Sequence, residues 1–292
     1  MKHVDLHTHT IYSDGTDSPE SLVRAMIVSG VEAMALTDHD TMAGYDEALK
    51  EAKKWNLELI PGVEVSTHHY HILGLNVDPE NQEFRKFLDE VQRRQKEVCV
   101  ERIGILNNYG VPITVEKLEK AYPLSRLGKW NVINTMIQDP ECASYLSKEK
   151  YKIDPAGNPT PETILRYFVG TKGIAGKISK NRDFSSRESI AQIHNAGGIA
   201  IVAHAFKQIK RWDDRESVYF VLGKLKERNI DGVEIQPNYG EKNNLIRDYA
   251  LENGLMMTYG SDFHGAGGTR QLLGRRENQV EDLEKMLNKW RN

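Results

Sequence analysis

The chain has 292 residues, 39% hydrophobic and 28% charged, which is enough apolar material for a sizeable core and excludes a disordered chain. Its 39 basic and 42 acidic residues leave a net charge of −3, so no general basic excess marks it for nucleic acid or a membrane surface. Two cysteines, Cys99 and Cys142, supply neither a disulfide framework nor a four-thiolate zinc site, and MKHVDLHTHT lacks the apolar stretch of a secretory signal; a cytoplasmic protein without a membrane span is expected.

A short apolar strand over 4–6 runs into a histidine-rich turn. Asp17-Ser18-Pro19-Glu20 reads as a capped helix start, with proline in the first turn and acids against the dipole, and Gly30 closes that helix. Strand 31–37, helix 44–55, strand 58–66 and strand 70–77 follow, the last two as a hairpin-like pair. From about 80 to 187 the pattern turns helical and highly charged: one long helix over 81–108, a terminator at Gly110-Val111-Pro112, a proline-rich loop over 139–161, and a helix opened by Thr160-Pro161-Glu162. The β/α alternation then returns, with helices at 186–195, 216–228, 241–253 and 279–290 and strands at 198–204, 230–236 and 255–260. This order predicts an α/β barrel over 1–79 and 188–292, interrupted by a mostly helical insertion over 80–187.

Histidines and carboxylates gather where the strands end, the face that carries active sites in β/α barrels. His7, His9 and Asp14 follow the first strand and Asp38, His39 and Asp40 the second. Glu64 and His71 lie in the third and fourth, His204 ends GGIAIVAH, and Asp262 and His264 end MMTYGSDFH. In an extended segment residues i and i+2 face one side, so His7 with His9, and Asp262 with His264, can each reach one cation. Imidazole and carboxylate without thiolate suit zinc, manganese or iron, and the number of candidate ligands exceeds one ion, pointing to two or three divalent metals. Clustered cations suit displacement at phosphorus.

HVDLHTHTIYSDGTDSPESLV, ALTDHDTMAGYDEA, IPGVEVST, HILGL, GGIAIVAHA and YGSDFHG, in that order over about 1–77 and 190–270, resemble the motifs of the PHP (polymerase and histidinol phosphatase) superfamily, most of all its stand-alone trinuclear phosphoesterase branch. The resemblance implies a distorted (β/α)7 TIM-like barrel that hydrolyses phosphate esters by attack of a metal-bridging hydroxide. Carried over by position, it implies that His7, His9, Glu64 and Asp262 hold one metal, Asp14, His39 and His264 a second, and Glu64, His71 and His204 a third. It also points to Asp262 as proton acceptor and His204 as donor to the leaving oxygen, and to Ser125 and Arg126 of the insertion, acting as a lid, as phosphate contacts. The sequence departs from the family pattern twice: Leu127-Gly128-Lys129-Trp130 stand where many relatives have a Pro-His pair, a change in the substrate-reading region, and Ala205 stands where a proline is common.

Other residues carry plainer expectations. His3, His68, His69 and His194 read as structural or surface residues, and Asp38 and Asp40 as groups that orient His39 or cap the next helix. Arg93, Arg94 and Lys96 read as a solvated helix face, Gly260-Ser261 as a plain turn, and Lys177, Lys180 and Arg182 as cations near the barrel mouth. The expected substrate is a small phosphorylated metabolite or nucleotide: a nucleoside 3′,5′-bisphosphate, a short RNA 5′ end or a cyclic sugar phosphate. The chain lacks the aromatic and basic stripe of a long nucleic-acid track. A histidinol-phosphatase-like monoesterase and a non-catalytic PHP module are the alternatives.

Overall fold

The computed structural model describes residues 2–148, 160–170, 172–176, 178, 184–209, 213–236, 243–265 and 279–280. β1 (Lys2–Asp5) leads through the histidine-rich turn to α1 (Pro19–Val28), where the Ser18 hydroxyl accepts from the Ser21 N–H and Gly30 follows the helix at φ 76°. β2 (Ala33–Leu36), α2 (Tyr45–Trp55), β3 (Glu58–Ser66) and β4 (His71–Leu75) come next. α3 (Gln82–Asn108), α4 (Val115–Ala121), α5 (Lys129–Gln138), α6 (Pro140–Lys148) and α7 (Pro161–Ile164), which runs on as a π-turn over Leu165–Val169, make up the helical stretch. The alternation resumes with α8 (Ser186–Asn195), β5 (Ile199–Val202), the short α9 (Ala205–Gln208), α10 (Arg215–Lys226), β6 (Gly232–Ile235), α11 (Asn244–Asn253), β7 (Met256–Tyr259) and β8 (Gln279–Val280).

The strands hydrogen-bond in the order β7-β6-β5-β4-β3-β2-β1-β8. Pairing is parallel except around β4, which runs antiparallel to both β3 and β5, and at β8, antiparallel to β1. β7 and β1 close the ring beyond their regular ends: Leu6 N–H donates to Tyr259 O at 3.0 Å, Asp262 N–H to His7 O at 2.9 Å and His9 N–H to Phe263 O at 2.9 Å. The result is a nearly closed seven-stranded barrel, as the sequence predicts. Val4, Leu6, Ala33, Ala35, Ile60, Leu73, Leu75, Ile199 and Ile201 fill its interior. Val63, Val65, Val202, Val233 and Ile235 turn the other way and pack with apolar residues of α8, α10 and α11.

Two expectations are corrected. Pro140 opens α6 where a loop is predicted, because the first turn of a helix needs no proline N–H, and Asp139 Oδ1 accepts from the Glu141 and Cys142 N–H groups at 3.1 and 3.0 Å. Residues 279–280 are strand rather than helix, and 281–292 lie outside the described residues. The chain divides into two compact units, Met1–Val91 with Asp183–Asn292, and Gln92–Arg182, so the boundary falls inside α3. The second unit has its own core, built on Leu106, Ile113, Leu118, Val132, Ile133, Met136 and Phe168.

Candidate metal centre

Glu64 is fully buried near the end of β3, and the two oxygens of its carboxylate face different sets of imidazoles. Oε1 lies 2.8 Å from His71 Nδ1 and 2.9 Å from His204 Nε2. Oε2 lies 3.0 Å from His7 Nε2, 3.2 Å from His9 Nε2 and 3.3 Å from His39 Nδ1. Each ring arrives from a different strand end: His7 and His9 after β1, His39 after β2, His71 at the start of the antiparallel β4, and His204 after β5. Extended pairing continues past β2 to place His39 opposite Glu64.

A second carboxylate completes that group. Asp262 Oδ1 is 3.6 Å from His7 Nε2 and 3.5 Å from His9 Nε2. Asp262 sits at φ 58°, in the left-handed region, where short polar side chains are among the few non-glycine residues tolerated. Asp14 collects a third set: His264 Nε2 at 3.3 Å, His39 Nε2 at 3.8 Å and His9 Nδ1 at 3.9 Å. Three groups therefore have donor atoms within 4.8 Å of one another: His7, His9, Glu64 and Asp262; His9, Asp14, His39 and His264; and His39, Glu64 and His71. All nine positions singled out in the sequence converge, with His204 joining through Glu64.

Electrostatics explain why these groups can be buried together. Burial disfavours a charged His7, but the carboxylates of Glu234, Glu64 and Asp262 outweigh it and hold its pKa well above the usual value. The same contest, burial against Asp262 and Glu64, sets His9 at about 9. Burial pushes Asp14 and Glu64 up, yet the histidines around them hold both well below the ordinary carboxylate range, His264 and His39 for Asp14, and His39, His7 and His71 for Glu64. At His204 burial wins over Glu64 and the pKa falls, favouring the neutral form that ligates metal. His9 Nε2 and Asp14 Oδ1 are buried and lie 3.2 Å from Glu64 Oε2 and 3.3 Å from His264 Nε2, without hydrogen-bond geometry to either. Leaving such atoms unsatisfied costs about 1–3 kcal/mol each, and a divalent cation would satisfy both. The donor set of imidazole and carboxylate fits such a cation.

Neighbouring groups hold the ligand loops. Asp38 accepts from Thr10 N–H at 2.7 Å, Thr10 Oγ1 at 2.5 Å and Ser13 Oγ at 2.6 Å, so it anchors the loop bearing His9 and Asp14. Asp40 accepts from the Ser66 N–H at 2.6 Å and does not cap α2, whose N-cap is Gly44. A Cβ on Gly15 would lie 2.6 Å from His9 O, and one on Gly260 2.3 Å from His7 Cβ, so both positions exclude a side chain; Gly260 is more than a plain turn. Sequence reasoning missed two contacts. Glu234, in β6, takes His7 Nδ1 at 2.8 Å and the His204 N–H at 2.5 Å; its signal was a lone carboxylate inside the apolar run GVEI. Lys207 Nζ sits 2.7 Å from Asp262 Oδ2 and left no sequence signal.

The remaining histidines stay outside these groups. His194 Nε2 bonds Asp231 Oδ2 at 2.7 Å, His3 Nδ1 meets Gly30 O at 2.8 Å, and His68 and His69 pack edge to face at 4.1 Å. Arg93 pairs with Glu97, and Lys96 with Glu119, on exposed helix faces. Ser125 and Arg126 belong to the second unit, where Ser125 Oγ bonds Asn131 Oδ1 at 3.3 Å. Lys177, Lys180 and Arg182 lie outside the described residues.

The chain is similar in sequence and fold to known proteins. A 5′-3′ exoribonuclease of Haemophilus influenzae is 33% identical over 280 residues, covering 93% of each chain. A 3′,5′-nucleoside bisphosphate phosphatase of Chromobacterium violaceum is 25% identical over 95% of this chain and 92% of its own. The structure of an amidohydrolase from Chromobacterium violaceum with bound sulfate matches the fold with a TM-score of 0.75 at 22% identity, covering 98% of this chain and 96% of that one. The PHP domain family model matches residues 5–292, and the chain belongs to that family.

Proposed function

We propose that this chain is a metal-dependent hydrolase of phosphoric esters, working in the cytoplasm on a small phosphorylated metabolite or nucleotide: a nucleoside 3′,5′-bisphosphate, the 5′ end of a short RNA or a cyclic sugar phosphate. The observation that carries this reading is the division of Glu64 between two histidine sets, with Asp14 and Asp262 completing three adjacent donor groups. His7, His9, Glu64 and Asp262 would hold one divalent ion, Asp14, His39 and His264 a second, and Glu64, His71 and His204 a third; manganese, zinc and iron all suit these donors. When bound, such ions lower the pKa of water to supply a nucleophile and neutralise phosphoryl charge.

The chain's own residues supply the rest. Asp262 is the proposed acceptor of the attacking water's proton, and Lys207 Nζ lies 2.7 Å from its Oδ2. His204 is the proposed donor to the leaving oxygen, a role it can fill only when its bond to the third ion is labile and Nε2 is released. Among the described residues no helix is long and apolar enough to cross a membrane. One named relative is a 5′-3′ exoribonuclease and the other a 3′,5′-nucleoside bisphosphate phosphatase, and the net charge of −3 favours small or short substrates over a long polyanion. Phosphate release from nucleoside 3′,5′-bisphosphates, 5′-mononucleotides and histidinol phosphate, ring opening of cyclic ribose phosphates to monoesters, and nucleotide release from a 5′-phosphorylated oligoribonucleotide, all with Mn²⁺ supplied, test the reading. Turnover of a nucleotide or cyclic sugar phosphate is expected, and inertness toward the whole panel contradicts it.

A further inference from the structure

Glu234 is 1% exposed, and its two oxygens are taken by groups from two other strands. Oε1 lies 2.8 Å from His7 Nδ1, and Oε2 accepts the His204 backbone N–H at 2.5 Å. We propose that Glu234 is a positioning residue that fixes the tautomer of His7 and the turn at His204 together, and so couples the first and third cation groups; this rests on the reading of His7 and His204 as metal ligands.

The chemistry of the two contacts carries the inference. A backbone N–H only donates, so Glu234 Oε2 has to be an acceptor. With Oε1 accepting as well, 2.8 Å from His7 Nδ1, the contact places a ring proton on Nδ1. Once a cation displaces the ring's second proton, the lone pair of His7 is left on Nε2, the nitrogen 3.0 Å from Glu64 Oε2 and 3.6 Å from Asp262 Oδ1. His204 stands at φ 33°, ψ 54°, a conformation uncommon for a residue with a side chain, and the bond to Glu234 anchors that turn while its Nε2 reaches Glu64. The space beneath is closed, because a Cβ on Gly260 would lie 2.6 Å from Glu234 Oε1.

Glu234→Gln changes one atom. The amide has a single acceptor oxygen, which the His204 N–H requires, so its NH₂ group faces His7 Nδ1. The ring then accepts at Nδ1 and carries its proton on Nε2, which removes the lone pair from the first group. The test uses the full chain, stripped of metal and refilled with Zn²⁺ alone, with bound ions counted by native mass spectrometry and affinities read by chelator competition. Glu234→Gln is expected to hold one ion fewer than the unsubstituted chain, or to bind that ion about 10–100-fold more weakly. His7→Ala should show the same deficit, and the double variant no further one. Full zinc content at unchanged affinity in Glu234→Gln overturns the inference while leaving the proposed function standing. An unsubstituted chain that takes up no zinc overturns both. Should Glu234→Gln fail to fold, long-range ¹H–¹⁵N spectra of the zinc-loaded unsubstituted chain decide the point: a proton on His7 Nδ1 supports the inference, and one on Nε2 overturns it.

Discussion

Two buried glutamates in the barrel unit have opposite surroundings. Glu51, on α2, accepts from Arg24 Nε at 2.7 Å, from Lys54 Nζ and from Trp55 Nε1 at 3.1 Å, and the Arg24 bond first, then the other two, pull its pKa down to about 2. Those partners are permanent donors, and they satisfy the carboxylate completely. Glu64 is also held below the usual carboxylate range, but every group at its oxygens is an imidazole, which can present a proton or a lone pair. Burial and a low pKa are common to the two sites, so neither marks function. The exchangeable partners do, because a cation can take the place of the histidine protons at Glu64 and has nothing to replace at Glu51.

Glu64→Gln should break the comparison most severely. Loss of the shared ligand is expected to remove the ions of the first and third groups and lower kcat/KM by ~10³-fold or more, beyond the ~10²–10³ of one lost hydrogen-bond donor. Retained metal and activity would place the chemistry elsewhere. Asp14→Ala should abolish turnover while far-UV circular dichroism stays unchanged, because Asp14 serves the second donor group rather than the core.

A pH series sharpens the same contrast. In the metal-free protein, His9 at about 9 contributes stability that is complete below its ordinary value of 6.5 and is lost as pH rises through about 9. Asp14 and Glu64, both depressed, contribute stability above the ordinary carboxylate pKa that is lost on acidification. Calorimetry should therefore show the melting temperature of chelated protein falling between pH 6.5 and 9, and a flatter curve with metal bound, since the cation replaces the proton. Parallel curves would show that no cation enters this cluster.

Smaller effects follow at the periphery. Arg126→Ala should raise KM by about 10-fold with little change in kcat, as expected for lost ground-state binding of a phosphate; a fall in kcat at constant KM argues against a binding role. Glu51→Gln should lower the melting temperature and leave metal content untouched, and any loss of metal there would erase the distinction between the two glutamates.

Legibility in the sequence follows the same division. β3 and α8 were readable to the residue, because an apolar strand and a Ser185/Glu188 capping box are local signals. His7, His9, Asp262 and His264 stand out because His-x-His and Asp-x-His at strand ends are local as well, while the division of the nine candidates into three sets comes from the family resemblance. Glu234 was not: one carboxylate in a strand does not say which residues, 227 positions away for His7 and 30 for His204, will meet it. The antiparallel pairing of β4 with β5 bridges the helical stretch and is equally non-local. Pro140 misled for a different reason, since proline both ends and begins helices and only the Asp139 cap decides between them.

The most direct test of the central claim is the metal content of purified protein reconstituted with Mn²⁺ and then desalted, compared with Glu64→Gln treated identically. Two to three ions per chain are expected, with those of the first and third groups lost together when the carboxylate they share is changed. An unsubstituted chain that retains none, or a Glu64→Gln variant that keeps the full number, would contradict it.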